Sequence, residues 1–225
     1  MRATGRLIGA RGAWVIAAAG LVACSRGAPA RAVLEPPTPV AVFGRSIPAR
    51  LRAALLTDEG TIHCVLEPSR TPLAAALFVG LARGGYPWRD PRDGVVRRSP
   101  LYDALTFHRA MPGVLIQTGC PLGDGNGHPG YRVPLEPRGD DGHRLAAAGA
   151  LFFATYTPPP YRRDPSPPPP GRVVGSQIGI ALTSMGHLAG RTTVLGACGD
   201  LDVVARIAAR ATPPRVVLRS IRVAE

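Results

Sequence analysis

At 225 residues, 45% of them hydrophobic, the chain is long enough to bury one full core and too short for several independent ones, so one domain with extensions is expected. A formal net charge of +12 would ordinarily point to nucleic acid or an anionic surface as partner. All 27 basic residues are arginine, however, and they are scattered, with pairs such as Arg97-Arg98 and Arg162-Arg163 but no long run; beside abundant Ala, Gly and Pro this is compositional bias, and nucleic acid is excluded as a partner.

In chain order, Arg2, Arg6 and Arg11 precede the apolar run AWVIAAAGLVA over 13–23. That run is too short to cross a hydrocarbon layer of about 30 Å as a helix, and it has the three-part layout of a signal peptide. Its end, LVAC over 21–24, resembles the lipobox of bacterial lipoproteins, in which the cysteine is acylated and becomes the first mature residue. Residues 1–23 are therefore expected to be removed, leaving Cys24 as a lipid anchor in a bacterial membrane of the cell envelope. Serine after Cys24 resembles the pattern that leads to an outer membrane, with the protein facing the periplasm. Residues 24–50 mix Pro, Ala and Arg without a period and suit a tether, within which AVFG could add an edge strand.

The organised domain is expected over 51–225. Apolar runs over 51–56 and 61–66 flank Asp58-Glu59-Gly60, a hairpin signal. Thr71-Pro72 supplies an N-cap and a first-turn proline for LAAALFVGLAR, which stops at Gly84-Gly85. Residues 86–100 form a polar loop dense in Pro and Asp. LYDALTFHRAMPGVLIQTG then carries two strand-like segments turned by Pro112-Gly113, and the glycine-rich CPLGDGNGHPGYRVPLEP reads as a tightly folded loop; no Lys-Ser/Thr follows to make it a phosphate loop. Between 156 and 172, YTPPPYRRDPSPPPPGR is a Pro-rich insertion that favours extended backbone, either a spacer or a binding segment. After Cys24 three cysteines remain, Cys64, Cys120 and Cys198; an exported location permits a disulfide, but the pairing stays open. His63, His128, His143 and His187 have no metal-ligand spacing, and neither metal nor cofactor is expected.

Several of these segments, taken together, resemble the cyclophilins, a family of peptidyl-prolyl cis-trans isomerases. The shared elements are Tyr-Asp at 102–103, Phe-His-Arg at 107–109, Pro-Gly at 112–113, the Gly-rich stretch ending in Gly130-Tyr131, VGSQIGIAL, HLAGRTTVLG, the helix-like DLDVVARIAA and the closing PRVVLRSIRV. The likeness runs in order over about 51–223. It implies a mainly β fold, an eight-stranded antiparallel barrel capped by two α-helices, filled by side chains such as Val65, Leu115 or Ile116 and Val194, with a substrate groove on one outer face and, as expected partners, the Xaa-Pro segments of unfolded or exported proteins. A monomer is expected.

By the same resemblance Arg109 is the donor aimed at the prolyl nitrogen, and Gln117 hydrogen-bonds the arginine and the substrate backbone. Val114, Leu115, Ala154, Thr155, Gly179, His187, Leu188 and Thr192 map onto the substrate-binding positions. Val114 and Gly179 stand where the family carries phenylalanines, which predicts a wide, shallow pocket that has lost two aromatic walls. Thr155 replaces an asparagine, Thr192 a histidine, and Cys120 an aspartate. His108, one residue from Arg109, faces the other side of a strand and is read as structural. The expected function is prolyl isomerisation that assists the folding of exported proteins; the alternative is a weak or inactive module that binds Pro-containing segments.

Overall fold

The computed structural model describes residues 33–136, 138–155, 173–210 and 215–225. The signal peptide, the lipobox with Cys24 and the insertion 156–172 lie outside the described residues.

The opening hairpin forms where its turn predicts. β1 (Leu51–Thr57) and β2 (Gly60–Leu66) pair antiparallel across Asp58-Glu59, with Leu51, Ala53 and Leu55 of one strand and Ile62, Cys64 and Leu66 of the other turned inward. A short helix, α1 (Pro39–Phe43), precedes them inside the stretch read as tether, where AVFG suggested a strand; Leu34, Val42 and Phe43 pack on the core and Pro37 lies against Gly80. Thus 34–43 is folded onto the domain, since its few apolar side chains find a partner in α2 (Pro72–Arg83), whose residues Ala74 to Ala82 are all buried.

The start of α2 is not capped as the sequence suggests. Thr71 makes no side-chain cap bond; instead Glu136, 63 and 62 residues further on, accepts from the free N–H groups of Leu73 and Ala74 at 3.2 and 2.8 Å. A carboxylate there satisfies two orphan donors and meets the positive end of the helix. Burial nevertheless pushes the Glu136 carboxyl upward, against those two hydrogen bonds.

The polar loop that follows holds a two-stranded ribbon, β3 (Trp88–Arg89) with β4 (Val96–Arg97), tied by fully buried Asp90, which pairs with Arg92 at 2.6 Å and Arg97 at 3.3 Å. The Arg92 bonds hold the Asp90 carboxyl below its usual range. Onward come β5 (Leu105–Thr106), β6 (Arg109–Met111), β7 (Leu115–Thr118), β8 (Val133–Pro134), the one-turn helix α3 (Asp141–Arg144), β9 (Ala150–Thr155), β10 (Val173–Ala181), a 3₁₀ turn (Gly186–Leu188), β11 (Val194–Cys198), α4 (Leu201–Ala209) and β12 (Val217–Ala224).

All strands but β3 and β4 join one curled antiparallel sheet, ordered β5-β12-β1-β2-β11-β9-β10-β7-β6, with β8 on β10. Eight of its strands have three or more residues, matching the expected barrel; β5 and β8 are two-residue additions. The Thr118 hydroxyl of β7, the strand next to the β6 end of the order, donates to the Thr106 carbonyl of β5 at the other end. Helix α2 packs on β12, β10 and β8, and α4 on β2, β6 and β7. Two helices therefore do the capping, as expected, with α1 and α3 as short supplements.

Strand alternation sorts side chains into two clusters. The inner row Ala110, Ile116, Ile180, Leu151 runs across β6, β7, β10 and β9, and its last three members belong to the barrel core with Leu55, Phe78, Phe153 and Ile207. Of the alternatives Leu115 or Ile116, Ile116 is the one inside, and the expected filling needs correction at two positions: Val194 belongs, with Leu115, to a second cluster on the other face, and Val65 is 44% exposed. Val65 alternates with Cys64 and Leu66, and those two take the interior places. Cys64 and Cys198 form a disulfide between register partners of β2 and β11.

Candidate functional site

Four direct pairings link five residues into the outer row opposite that core. Arg109 of β6 faces Gln117 of β7, Gln117 faces Gly179 of β10, Gly179 faces Phe152 of β9, and Phe152 faces Val194 of β11. Directly opposed residues point to the same side of a sheet, so one face presents a cation, an amide, a gap and an aromatic ring in sequence. Beside this row lies the second apolar cluster, with Leu115, Ala181 and Met185 buried and Met111, Val114 and Leu188 partly so.

Arg109 is exposed, and its Nε donates to the Met111 sulfur at 3.2 Å, two residues along the same strand face. A thioether is a weak acceptor, so the guanidinium keeps most of its donors for something else. Among the described hydrogen bonds none joins Arg109 to Gln117, contrary to the expected link. Gln117 donates instead to Gln177 Oε1 at 2.8 Å, and Gln177 is fixed in turn by donating to the carbonyls of Gly125 and Gly127 at 2.7 and 3.1 Å. The orienting partner of the glutamine is thus a second glutamine, locked by the glycine-rich loop.

That loop has its own organiser. Cys120, fully buried and outside the disulfide, accepts from the N–H groups of Gly125 and Gly127 through its sulfur at 3.2 and 3.1 Å. Gly119 leads into it with φ +88°, and a Cβ there would fall 2.2 Å from the Ser176 carbonyl, so no other residue fits. Ser176 closes the arrangement: its hydroxyl donates to Gly119 and its carbonyl accepts from the buried Tyr102 hydroxyl. Cys120 therefore holds a loop, and the Tyr102 of the Tyr-Asp pair anchors it.

His108 sits behind Arg109, as alternation requires. Both of its ring nitrogens are buried without a hydrogen-bond partner, the nearby Gln177 amide sending its hydrogens to the two glycine carbonyls. Burial, helped by the Arg215 charge, pushes the imidazole down to about 4. A histidine whose folded value lies below its unfolded one contributes stability that is present above about 6.5 and is lost as pH falls toward about 4, because the unfolded chain binds the proton more readily. The urea midpoint is therefore expected to fall between pH 7 and pH 5, and His108→Gln is expected to flatten that fall; an unchanged pH profile in the variant would refute the assignment.

The remaining predicted positions separate into two groups. Leu115, Val114 and Leu188 line the apolar cluster, Ala154 and Thr155 lie half-buried at the end of β9, and His187 is exposed on the 3₁₀ turn. Thr192 is buried, and its hydroxyl donates to the Phe153 carbonyl of β9. Thr155 likewise spends its hydroxyl on the Arg191 carbonyl.

Of the two positions that lack the family's phenylalanine, Val114 and Gly179, the second lies under an aromatic ring. A Cβ placed on Gly179 would stand 2.7 Å from Phe152 Cζ and 3.0 Å from Cε2, so the ring of the next strand already fills the space that a side chain at 179 would need. Phe152 is 5% exposed and part of the outer cluster. Neither Phe152 nor Gln177 is marked by sequence reasoning; alternation within LFFAT puts Phe152 on one face with Ala154, and only the register of β9 on β10 sets it over Gly179.

The family model described as "Cyclophilin type peptidyl-prolyl cis-trans isomerase/CLD" matches residues 52–223. Among curated proteins, "Peptidyl-prolyl cis-trans isomerase B" of Streptomyces anulatus is 34% identical over 173 residues, spanning 74% of this chain and 88% of the relative. "Probable peptidyl-prolyl cis-trans isomerase A" of Mycobacterium leprae (strain TN) is 34% identical over 154 residues, spanning 67% and 74%. Among solved structures, a cyclophilin type peptidyl-prolyl cis-trans isomerase of Cryptosporidium parvum, crystallised in the presence of the dipeptide ala-pro, shares the fold at a TM-score of 0.58 and 20% identity, covering 77% of this chain and 99% of that one.

Proposed function

The chain belongs to the cyclophilin-type peptidyl-prolyl cis-trans isomerase family, and from that premise we propose that it isomerises Xaa-Pro bonds in exported proteins of the cell envelope. The observation that carries this reading is the outer row, which sets the free donors of Arg109 beside Gln117 and, across a gap, an apolar cluster with an aromatic ring.

The chemistry follows from the amide. Lone-pair donation from nitrogen keeps the peptide bond planar, with a barrier of about 18–20 kcal/mol to rotation. In the twisted state the lone pair is localised on the prolyl nitrogen and accepts a hydrogen bond it cannot accept when planar. Arg109 offers a permanently charged donor there, so its contribution appears mainly in the transition state. Gln117, held by Gln177, binds substrate backbone and keeps the amide from swinging, while Leu115, Val114, Leu188 and Phe152 receive the prolyl ring.

The envelope setting rests on the lipobox at Cys24 and is supported by the Cys64–Cys198 bridge, since disulfides persist in exported proteins and are rare in reducing compartments. The test is a protease-coupled assay on Xaa-Pro peptides with the purified protein: a rate that rises in proportion to protein concentration supports the proposal, and a rate equal to the spontaneous one refutes it. A module that binds Pro-containing segments without turning them over is the competing reading, favoured by Val114, an aliphatic side chain where the family carries a ring. It predicts peptide binding with no gain in rate.

A further inference from the structure

We infer that Phe152 is a specificity-determining residue of the prolyl pocket, supplying from β9 the aromatic wall that Gly179 of β10 does not carry, so that the two positions act as one unit. The inference rests on the isomerase reading of the site.

Three observations carry it. The ring lies over the glycine, its Cζ 2.7 Å and its Cε1 3.3 Å from where a Cβ at 179 would stand, so the two positions compete for one volume. Phe152 is in the same outer row as Arg109 and Gln117, three strands from the arginine, roughly 14 Å at ordinary strand spacing. Its tip reaches back across one strand to β10, leaving roughly 10 Å between that tip and the β6 backbone, room for a prolyl ring and its amide between wall and donor. The ring is also held: Val194 faces it from β11 and Leu115, Ala181 and Met185 complete the cluster around it. A wall fixed on its outer side by packing gives a ring-shaped ligand a surface of set position, which is what discrimination among ring sizes requires.

The geometry also says why both walls are not present together. A phenylalanine at 179 would drive its Cβ into the Phe152 ring, so adding the family's residue alone disrupts the pocket. Removing the Phe152 ring first opens the space for it.

The test is an exchange in the full-length protein, with Phe152→Ser, Gly179→Phe, the double variant and the milder Phe152→Leu. Each is assayed for kcat and KM on Ala-Pro and on the six-membered-ring analogue Ala-pipecolyl peptide, with peptide affinity by calorimetry and folding by circular dichroism. Both single exchanges are expected to raise KM on the Ala-Pro peptide by about tenfold with a smaller change in kcat, the size of effect that one apolar wall of a pocket supplies. The double variant is expected to recover to within about threefold of the parent, and Phe152→Leu to stay folded while its preference for the five-membered ring falls. A double variant no better than Phe152→Ser, or a Phe152→Leu protein with parental KM, affinity and ring preference, would overturn the inference. Should the parent itself fail to exceed the spontaneous rate, the isomerase reading falls, and the calorimetric affinities of the four variants still decide whether Phe152 forms the wall.

Discussion

Arg109→Ala is expected to lower kcat/KM on Xaa-Pro peptides by about 10²–10³-fold, the usual cost of removing one donor aimed at charge that develops in a transition state. The loss is expected mainly in kcat, since the planar substrate offers the guanidinium little to bind. Exposure of Arg109 makes the variant safe for folding: its Nε bond to the Met111 sulfur is a weak one, and the residue occupies the solvent side of a three-residue strand. Arg109→Lys is expected to recover little, because an ammonium lacks the planar fork that places one donor on the nitrogen while another engages the substrate backbone. Gln177→Ala is the sharper control. It leaves both groups of the row in place but frees Gln117 and unties the glycine loop at two carbonyls. A fall in kcat/KM smaller than that of Arg109→Ala, without loss of the fold, separates orientation from chemistry. Equal activity of the parent and Arg109→Ala would remove the arginine from the mechanism.

Why part of this site was legible from residues alone, and part was not, comes down to contact range. The hairpin at 51–66 is written into local alternation and an Asp-Glu-Gly turn, and the row partners Arg109 and Gln117 are eight residues apart across a Pro-Gly turn, so motif and geometry coincide. Phe152 escapes that reading because its role depends on which strand lies beside β9 and in what register, a fact no window of sequence contains. The Glu136 cap on α2 escapes for the same reason: Thr71-Pro72 has the form of a helix start, yet its free N–H groups are answered from more than sixty residues away. Thr192, which corresponds by family resemblance to a groove residue, carries a short side chain whose hydroxyl is spent on the Phe153 carbonyl, a bond that again depends on strand register. Composition misled at the amino-terminal side, where a Pro- and Ala-rich stretch reads as tether although Pro37 and Phe43 have an apolar helix to cover.

Removing the disulfide is expected to have the largest effect on stability. Cys64 and Cys198 are 134 residues apart in sequence, and closing a loop of that length in the unfolded chain is worth about 5 kcal/mol in the chain-entropy account, with about 2–5 kcal/mol usual when a native bridge is removed. At about 2–4 °C per kcal/mol for a domain of this size, Cys64→Ala/Cys198→Ala is expected to lower Tm by roughly 10 °C, and reduction of the parent by dithiothreitol to do the same. The bridge joins register partners in the middle of the strand order, where β11 connects the β1–β2 hairpin to the β9–β10 pair that carries Phe152 and Gly179. Backbone ladder bonds on either side of it keep that register in the folded state, so activity below the transition is expected to be unchanged by reduction. Cys120→Ala is the matched control: it removes a thiol that belongs to no bridge, and it is expected to disturb the glycine loop and hence Gln177 while responding to dithiothreitol as the parent does. A reduced parent that melts within about 2 °C of the oxidised one would show that the bridge contributes little, and would weaken the support that the bridge lends to the proposed envelope setting.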